Sequence, residues 1–425
     1  MQKIVKLKNG AQAIIAERPA VKSVALLVMF RVGSRYESQE LNGISHFLEH
    51  LFFKGTKKRP NTFILTQELD KIGANYNAFT SKDFTGYYIK VAQEQVHTAF
   101  DILADMLTNS LFAAEEIKRE RGVIIEEIRM YRDNPIMYID DLIEQSVYQG
   151  HSLANDIAGP EKNIRQMTRK KIINYQRQYY HGSNTIFGVV GHIKKEQAVK
   201  MLNQYFSGLR RNKKITVNSP WQTTQKQPRL LVDYKKTKQS QLSLAWPSFS
   251  RKHPDYLASV LLALILGGNM SSRLFINIRE RHGLCYSINS SVADHQDNGY
   301  FEIRAGLNQD KIELAYQLII QELKKIKTES IPIAEINKAK TYWQGKLALQ
   351  WEDSLDYLHW LMKQYLDLGQ TMEFSDLKKK INSITAADIQ RVANYIFQQQ
   401  RLNLAVIGPY RTKKYFNNLI NKARL

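Results

Sequence analysis

At 425 residues the chain is long for one hydrophobic core, and two domains of about 200 residues each are expected. No apolar run reaches the roughly 18 residues a membrane-spanning helix needs, and the single cysteine, Cys285, excludes an intrachain disulfide and suits a reducing, cytoplasmic setting. The net charge of +21 is scattered over small groups (Lys57-Lys58-Arg59, Arg210-Arg211, Lys235-Lys236, Lys378-Lys379-Lys380) without a nucleic-acid-binding motif, so a solvated basic surface is expected, not a nucleic-acid partner.

Residues 3–17, KIVKLKNGAQAIIAE, read as two short strands around an Asn-Gly turn and not as a signal peptide. Residues 23–30, SVALLVMF, read as a strand. From 44 onward the period changes to that of a helix. Ile44, Phe47, Leu48, Leu51 and Phe52 form one apolar stripe, while His46, Glu49, His50 and Phe53 share the opposite face. Asn42 is placed to cap the start of this helix and Gly55 its end. Two imidazoles at i and i+4 lie roughly 6 Å apart at their bases, a chelating distance for zinc. Glu49 sits on the same face, where a carboxylate reaches the water that zinc would activate.

Residues 75–91, NYNAFTSKDFTGYYIKV, predict a hairpin, which favours antiparallel pairing. Residues 115–134 predict a helix stopped before Pro135. On it Glu120 and Glu127 lie two turns apart among Ile124, Ile125 and Ile128, where a carboxylate is costly unless paired or metal-bound. A catalytic zinc needs a third protein ligand, and this helix offers Glu127, with Glu126 the competing choice about 100° round.

The chain then repeats itself. Thr168, Ile172, Val189 and Gly191 recur as Thr385, Ile389, Val406 and Gly408, each pair 217 residues apart. Each set reads as a threonine-capped helix followed by a short buried strand. The same offset brings SVALLVMF onto SQLSLAWP at 240–247, and it sets His46 and His50 against Ala263 and Gly267. We therefore expect an α+β protein of two homologous domains, each a mostly antiparallel sheet packed with helices. Their bounds are 1–212 and 229–425, with a polar linker at 213–228. No HxxEH occurs in the second half, so one domain is expected to carry metal and the other not.

HFLEHLFFKGT followed by ERGVIIEEIRMYRDNP resembles the pitrilysin-type zinc metallopeptidases, the inverzincins. The duplicated chain is similar to the branch of mitochondrial processing peptidase and its bacterial relatives. The resemblance implies one zinc per chain, held by His46, His50 and Glu127, with Glu49 as general base and Glu120 as an auxiliary carboxylate. It also implies that Asn77, Ala78 and Phe79 line an edge strand that takes an extended substrate, and that Arg279 and Tyr286 hold the substrate backbone. His282 and Cys285 are expected to be incidental. The function so implied is endopeptidase cleavage of extended or unfolded peptides within a chamber, by a homodimer or by a heterodimer with a homologue. The alternatives are a non-catalytic subunit of such an assembly and, on charge alone, a nucleic-acid-binding protein.

Overall fold

The computed structural model describes residues 2–212 and 220–425, so residues 213–219 of the expected linker lie outside it. Eleven strands form two sheets among the described residues. The first contains β1 (Gln2–Lys6), β2 (Gln12–Glu17), β3 (Ser23–Phe30), β4 (Asn75–Thr80), β5 (Thr85–Ala92) and β6 (Thr185–Gly191), in the order β1-β2-β6-β3-β5-β4. The second contains β7 (Arg229–Tyr234), β8 (Gln239–Ser248), β9 (Cys285–Asp294), β10 (Gly299–Asn308) and β11 (Asn403–Gly408), in the order β7-β11-β8-β10-β9. Leaving β1 aside, the two orders are one order. In both sheets a single pair is parallel, β2 with β6 and β7 with β11, and the rest are antiparallel. The parallel pairs share a register: Gln12 faces Ile186, and Arg229 faces Asn403, each partner displaced by the 217 residues of the repeat. The expected α+β class and the duplication both hold.

Local chemistry explains these elements. Thr168 accepts a hydrogen bond from the Lys171 N–H at the start of helix Arg169–Tyr179. Thr385 does the same for Asp388 at the start of helix Ala386–Ile396, where the Asp388 side chain answers it in a capping box. Along β3, Val24, Leu26, Val28 and Phe30 enter one core, while Ala25, Leu27 and Met29 enter another on the opposite face. A strand covered on both faces reads as a continuous apolar run, which is why SVALLVMF shows no alternation.

The covering of the second face departs from simple chain order. Helix Ser354–Leu368 packs Leu355, Leu358, Leu361 and Met362 on the outer face of the first sheet. Helix Pro135–Val147 packs Ile139, Leu142 and Ile143 against Ala245 of β8 and Ala405 and Ile407 of β11. One compact unit thus comprises Met1–Arg129, Asn155–Ser219 and Ala348–Glu373, and the other Met130–Ala154, Pro220–Leu347 and Phe374–Leu425. Division at 213–228 follows the sequence repeat, and the compact units cut across it at these two helices.

Candidate metal centre

Helix Ile44–Leu51 buries the stripe read from its sequence: Ile44, Phe47, Leu48, Leu51 and Phe52 are at most 1% exposed. Its start is built differently from expectation. The N-cap is Gly43, at φ 101°, and a Cβ there would lie 2.5 Å from the Ala158 carbonyl oxygen. The expected cap, Asn42, instead donates its amide to Glu37 and to the Asp156 carbonyl. The buried Glu37 carboxylate accepts from the Gly43 and Ser45 N–H groups, both at 2.8 Å, and so satisfies the helix start from outside it. Nor does Gly55 end the helix. Phe52 holds the C-cap position, and Gly55 lies three residues further on.

The polar face converges with helix Ala114–Asp133. One ligand atom each from His46, His50 and Glu127 lies within 4.8 Å of the other two. Glu127 Oε2 is 3.7 Å from His46 Nε2 and 3.4 Å from His50 Nε2. Zinc with bonds of about 2.0–2.1 Å in tetrahedral geometry separates its ligand atoms by roughly 3.3–3.5 Å, so the donor set fits the ion in kind, and the two separations from Glu127 are close to what it needs. Glu126 turns away: its side chain is 72% exposed and pairs with Arg129 at 2.8 Å.

A second layer fixes the first. Glu120, 2% exposed, accepts from Lys54 Nζ at 2.9 Å through one oxygen and contacts His50 Nδ1 at 3.1 Å through the other. A carboxylate behind a ligating imidazole sets its tautomer and orientation. Glu49 Oε2 accepts from the Thr80 hydroxyl at 2.6 Å, which ties the helix to the end of β4. The electrostatics favour positive charge between these carboxylates. Burial would lower the His50 pKa, but hydrogen bonds with Glu120 and Glu127 outweigh it and raise the value to about 9. Burial and the His50 charge push His46 down to about 4. Burial raises Glu49, against the hydrogen bond from Thr80.

Of the other expected residues, Asn77, Ala78 and Phe79 do fall on an edge strand, β4, which among the described residues pairs only with β5. Asn77 is exposed, Ala78 is 8% exposed, and the Ala78 N–H donates to Asn77 Oδ1 at 2.9 Å. Arg279 and Tyr286 belong to the other compact unit. There the chain makes a π-helical turn, Phe275–Arg281, and the Arg279 guanidinium carbon lies 4.6 Å from the Phe275 ring centre and 5.9 Å from that of Tyr286. Tyr286 is 78% exposed. Cys285 is half-buried, which pushes its thiol up to about 11 and makes it a poor nucleophile. Sequence reasoning missed Lys54, Thr80 and Glu37. Only Lys54, one helical turn beyond His50, carried any signal.

Residues 12–161 match the family described as Insulinase (Peptidase family M16), and residues 166–342 match its Peptidase M16 inactive domain. A Bacillus subtilis protein named "uncharacterized zinc protease" is 33% identical over 95% of this chain and 97% of its own length. The chain belongs to peptidase family M16. An Arabidopsis thaliana protein named as a probable mitochondrial-processing peptidase subunit beta is 27% identical to this M16 chain, over 98% of it and 80% of that protein. The crystal structure of a protease from Helicobacter pylori superposes with a TM-score of 0.90 at 26% identity, covering 96% of this chain and 99% of that one. The resemblance read from HFLEH and the later glutamates therefore named the right family, and the metal motif falls in the half that matches the Insulinase description. Among the described residues no helix is long and apolar enough to cross a membrane.

Proposed function

We propose that this M16 chain is a cytoplasmic zinc endopeptidase that cleaves extended or unfolded peptides. The observation that carries the reading is the convergence of two imidazoles and one carboxylate within 4.8 Å, with a further carboxylate, Glu49, on the same helix face. His46, His50 and Glu127 would hold one zinc ion per chain. Bound there, zinc supplies Lewis acidity, which makes water an effective nucleophile near neutral pH.

Glu49 accepts the proton of the attacking water and returns it to the departing amine, so one carboxylate serves as base and then acid. Thr80 keeps that carboxylate aimed, and Glu120 with Lys54 keeps the His50 ring in place. The substrate adds to β4 at Asn77–Phe79 as one more strand, since an edge strand offers backbone groups that a guest can pair. Its arrival replaces the Asn77 side chain on the Ala78 N–H. Arg279 and Tyr286 would donate to the peptide backbone and to the oxyanion as it forms. Because one chain carries both the metal residues and this pair, a homodimer enclosing the substrate is the expected assembly, and a heterodimer with a homologue is its rival.

The test is Glu49→Gln. The variant should keep one zinc per chain by elemental analysis and lose turnover of an unstructured peptide by about a thousandfold or more. Full turnover in a zinc-loaded E49Q protein would refute the role of Glu49. Wild-type protein that carries no zinc and cleaves nothing would favour the non-catalytic subunit.

A further inference from the structure

Most of the +21 charge is spread thinly, but one hollow in the first compact unit gathers it. A cavity of about 710 Å³ is lined by Arg169, Arg177, Arg210 and Arg211, with His181 in its wall. No aspartate or glutamate lines it among the described residues. The fold builds this concentration from two sources. Helix Arg169–Tyr179 carries Arg169 and Arg177 eight residues apart, close to two turns, so both lie along one side. The segment after Leu209 then brings Arg210 and Arg211 alongside, anchored where the Gly182 N–H donates to the Arg210 carbonyl at 2.8 Å.

Two observations separate this hollow from an ordinary solvated basic surface. The first is the absence of compensation. Arg169 donates to the Phe112 and Leu111 carbonyls at 2.7 and 3.0 Å, which holds its guanidinium in place without neutralising it. Arg177, Arg210 and Arg211 are exposed and form no ion pair among the described residues. Like charges collected around a concavity repel one another and raise the local potential for anions. The second is His181. It is 3% exposed, and neither ring nitrogen has a hydrogen-bond partner among the described residues. A neutral imidazole always carries one N–H donor, and a buried donor without an acceptor calls for an explanation.

We propose that this cavity binds a small, multiply charged oxyanion of the phosphate class. Guanidinium groups match phosphate oxygens in paired, parallel hydrogen bonds, and several around one hollow suit a ligand with several such oxygens. The volume lies within the range of small-ligand sites. The charged rim favours a hydrophilic anion such as pyrophosphate over an apolar acid.

Calorimetric titration of the full-length chain with pyrophosphate, at physiological salt, tests this. Saturable binding at one site per chain with Kd below about 1 mM is expected. The double variant Arg177→Gln/Arg211→Gln should bind at least about tenfold more weakly, as the loss of two charge-assisted contacts implies. Lys378→Gln/Lys379→Gln/Lys380→Gln, which removes three charges from a different cluster, should bind as wild type does. Competition with ATP would then distinguish a site open to phosphate esters from one confined to free pyrophosphate, and either result supports the assignment. Four results overturn it: no saturable binding, an unaffected arginine variant, equal weakening in the lysine variant, or displacement of pyrophosphate by a triglutamate peptide at lower concentration than ATP. If the double variant does not fold, Arg210→Gln alone carries the same comparison. Glu49→Gln should bind pyrophosphate unchanged, so this site and the peptidase reading stand or fall separately.

Discussion

Helix Ile44–Leu51 and helix Tyr256–Gly267 descend from one repeat, and each packs beside the edge strand of its own sheet. They differ in what separates helix from strand. In the first, the helix face that carries His46, Glu49 and His50 reaches the strand through the Thr80–Glu49 hydrogen bond, a contact between side chains. In the second, the positions of the two histidines are Ala263 and Gly267. The Ser290 hydroxyl of β9 donates directly to the Ala263 carbonyl at 2.8 Å, and a Cβ at Gly267 would lie 2.6 Å from the Ser290 backbone nitrogen. The helix there is apolar all round and meets the strand backbone at Gly267, where a side chain would have to displace it. A metal site therefore needs spacing between helix and edge strand as well as ligands, and one duplicated fold has supplied both the open and the closed version.

The sharpest way to break this comparison is to remove the ligand that comes from a different helix. Glu127→Gln should abolish zinc retention and lower peptide cleavage by about a thousandfold or more, because a neutral amide is a poor zinc ligand. Glu126→Gln, one residue earlier, should change neither, since that side chain is exposed and only pairs with Arg129 on the surface. Elemental analysis and a peptide assay on both variants decide it. Loss of zinc in the Glu126 variant would mean that the helix is rotated from its described setting.

The acids of the candidate metal centre and one buried acid of the second unit have different surroundings. Around Glu49, Glu120 and Glu127 stand a lysine, two histidines and the proposed cation. Glu302 on β10 of the second unit is 8% exposed and, among the described residues, has only the Ser243 hydroxyl as donor, at 2.7 Å. Burial raises its pKa from the ordinary 4.5 to about 7. The folded chain then keeps a proton that the unfolded chain releases. Stability associated with Glu302 is full below pH 4.5 and is lost as pH rises to 7, with a cost of as much as about 3 kcal/mol above it. Glu302→Gln should remove that slope. Its melting temperature, measured by calorimetry, should match wild type near pH 4.5 and exceed it by a growing margin up to about pH 8. A pH-independent difference would contradict the assigned protonation.

Closure of the second site is tested at Gly267. Gly267→Ala should destabilise the protein by about 1–3 kcal/mol, because the methyl group meets strand backbone that cannot swing aside. The equivalent crowding should be absent in the first unit, where His50→Ala should lose zinc without comparable overpacking. A Gly267→Ala variant as stable as wild type would show that β9 yields easily, and that the second helix lacks a metal for want of ligands alone.

How much of this was legible before the fold follows from the range of each interaction. The stripe of helix Ile44–Leu51, the caps Thr168 and Thr385, and the hairpin of β4 and β5 are local, and their periods and residue types announced them. The repeat announced two sheets of one design, though not their strand order, and β2, β3 and β6 recur about 217 residues on as β7, β8 and β11 with the same neighbours. Long-range side-chain choices were not announced. Asn42 has the right chemistry for a cap, yet a carboxylate at Glu37 competes better for the same N–H groups, and nothing in the local pattern ranks them. Helices Ser354–Leu368 and Pro135–Val147 show apolar faces, but a face does not say which sheet it will cover. Glu126 and Glu127 were separable only once the helix had a rotational setting.

Thr80 is the smallest expected effect and the most direct probe of what the open gap accomplishes. It lies at the end of β4, 31 residues from Glu49, and its hydroxyl is the one group described as donating to that carboxylate. Thr80→Val keeps the shape and β-branching of the side chain while deleting the hydrogen bond, so the strand should hold its place. A hydrogen bond to a charged group contributes roughly 1.5–3 kcal/mol, part of which water can replace at this half-buried position. The expected loss in kcat is therefore about tenfold, with zinc content and KM unchanged, because the Thr80 hydroxyl bonds to Glu49 and to none of the three expected ligands. Thr80→Ser, which restores the hydroxyl, should recover most of that loss. A fall in zinc content in the valine variant would mean that the bond holds the metal helix in place and does more than aim Glu49. Unchanged kcat in both variants would mean that burial alone orients the carboxylate, and that the edge strand contributes to this site only as a surface for substrate.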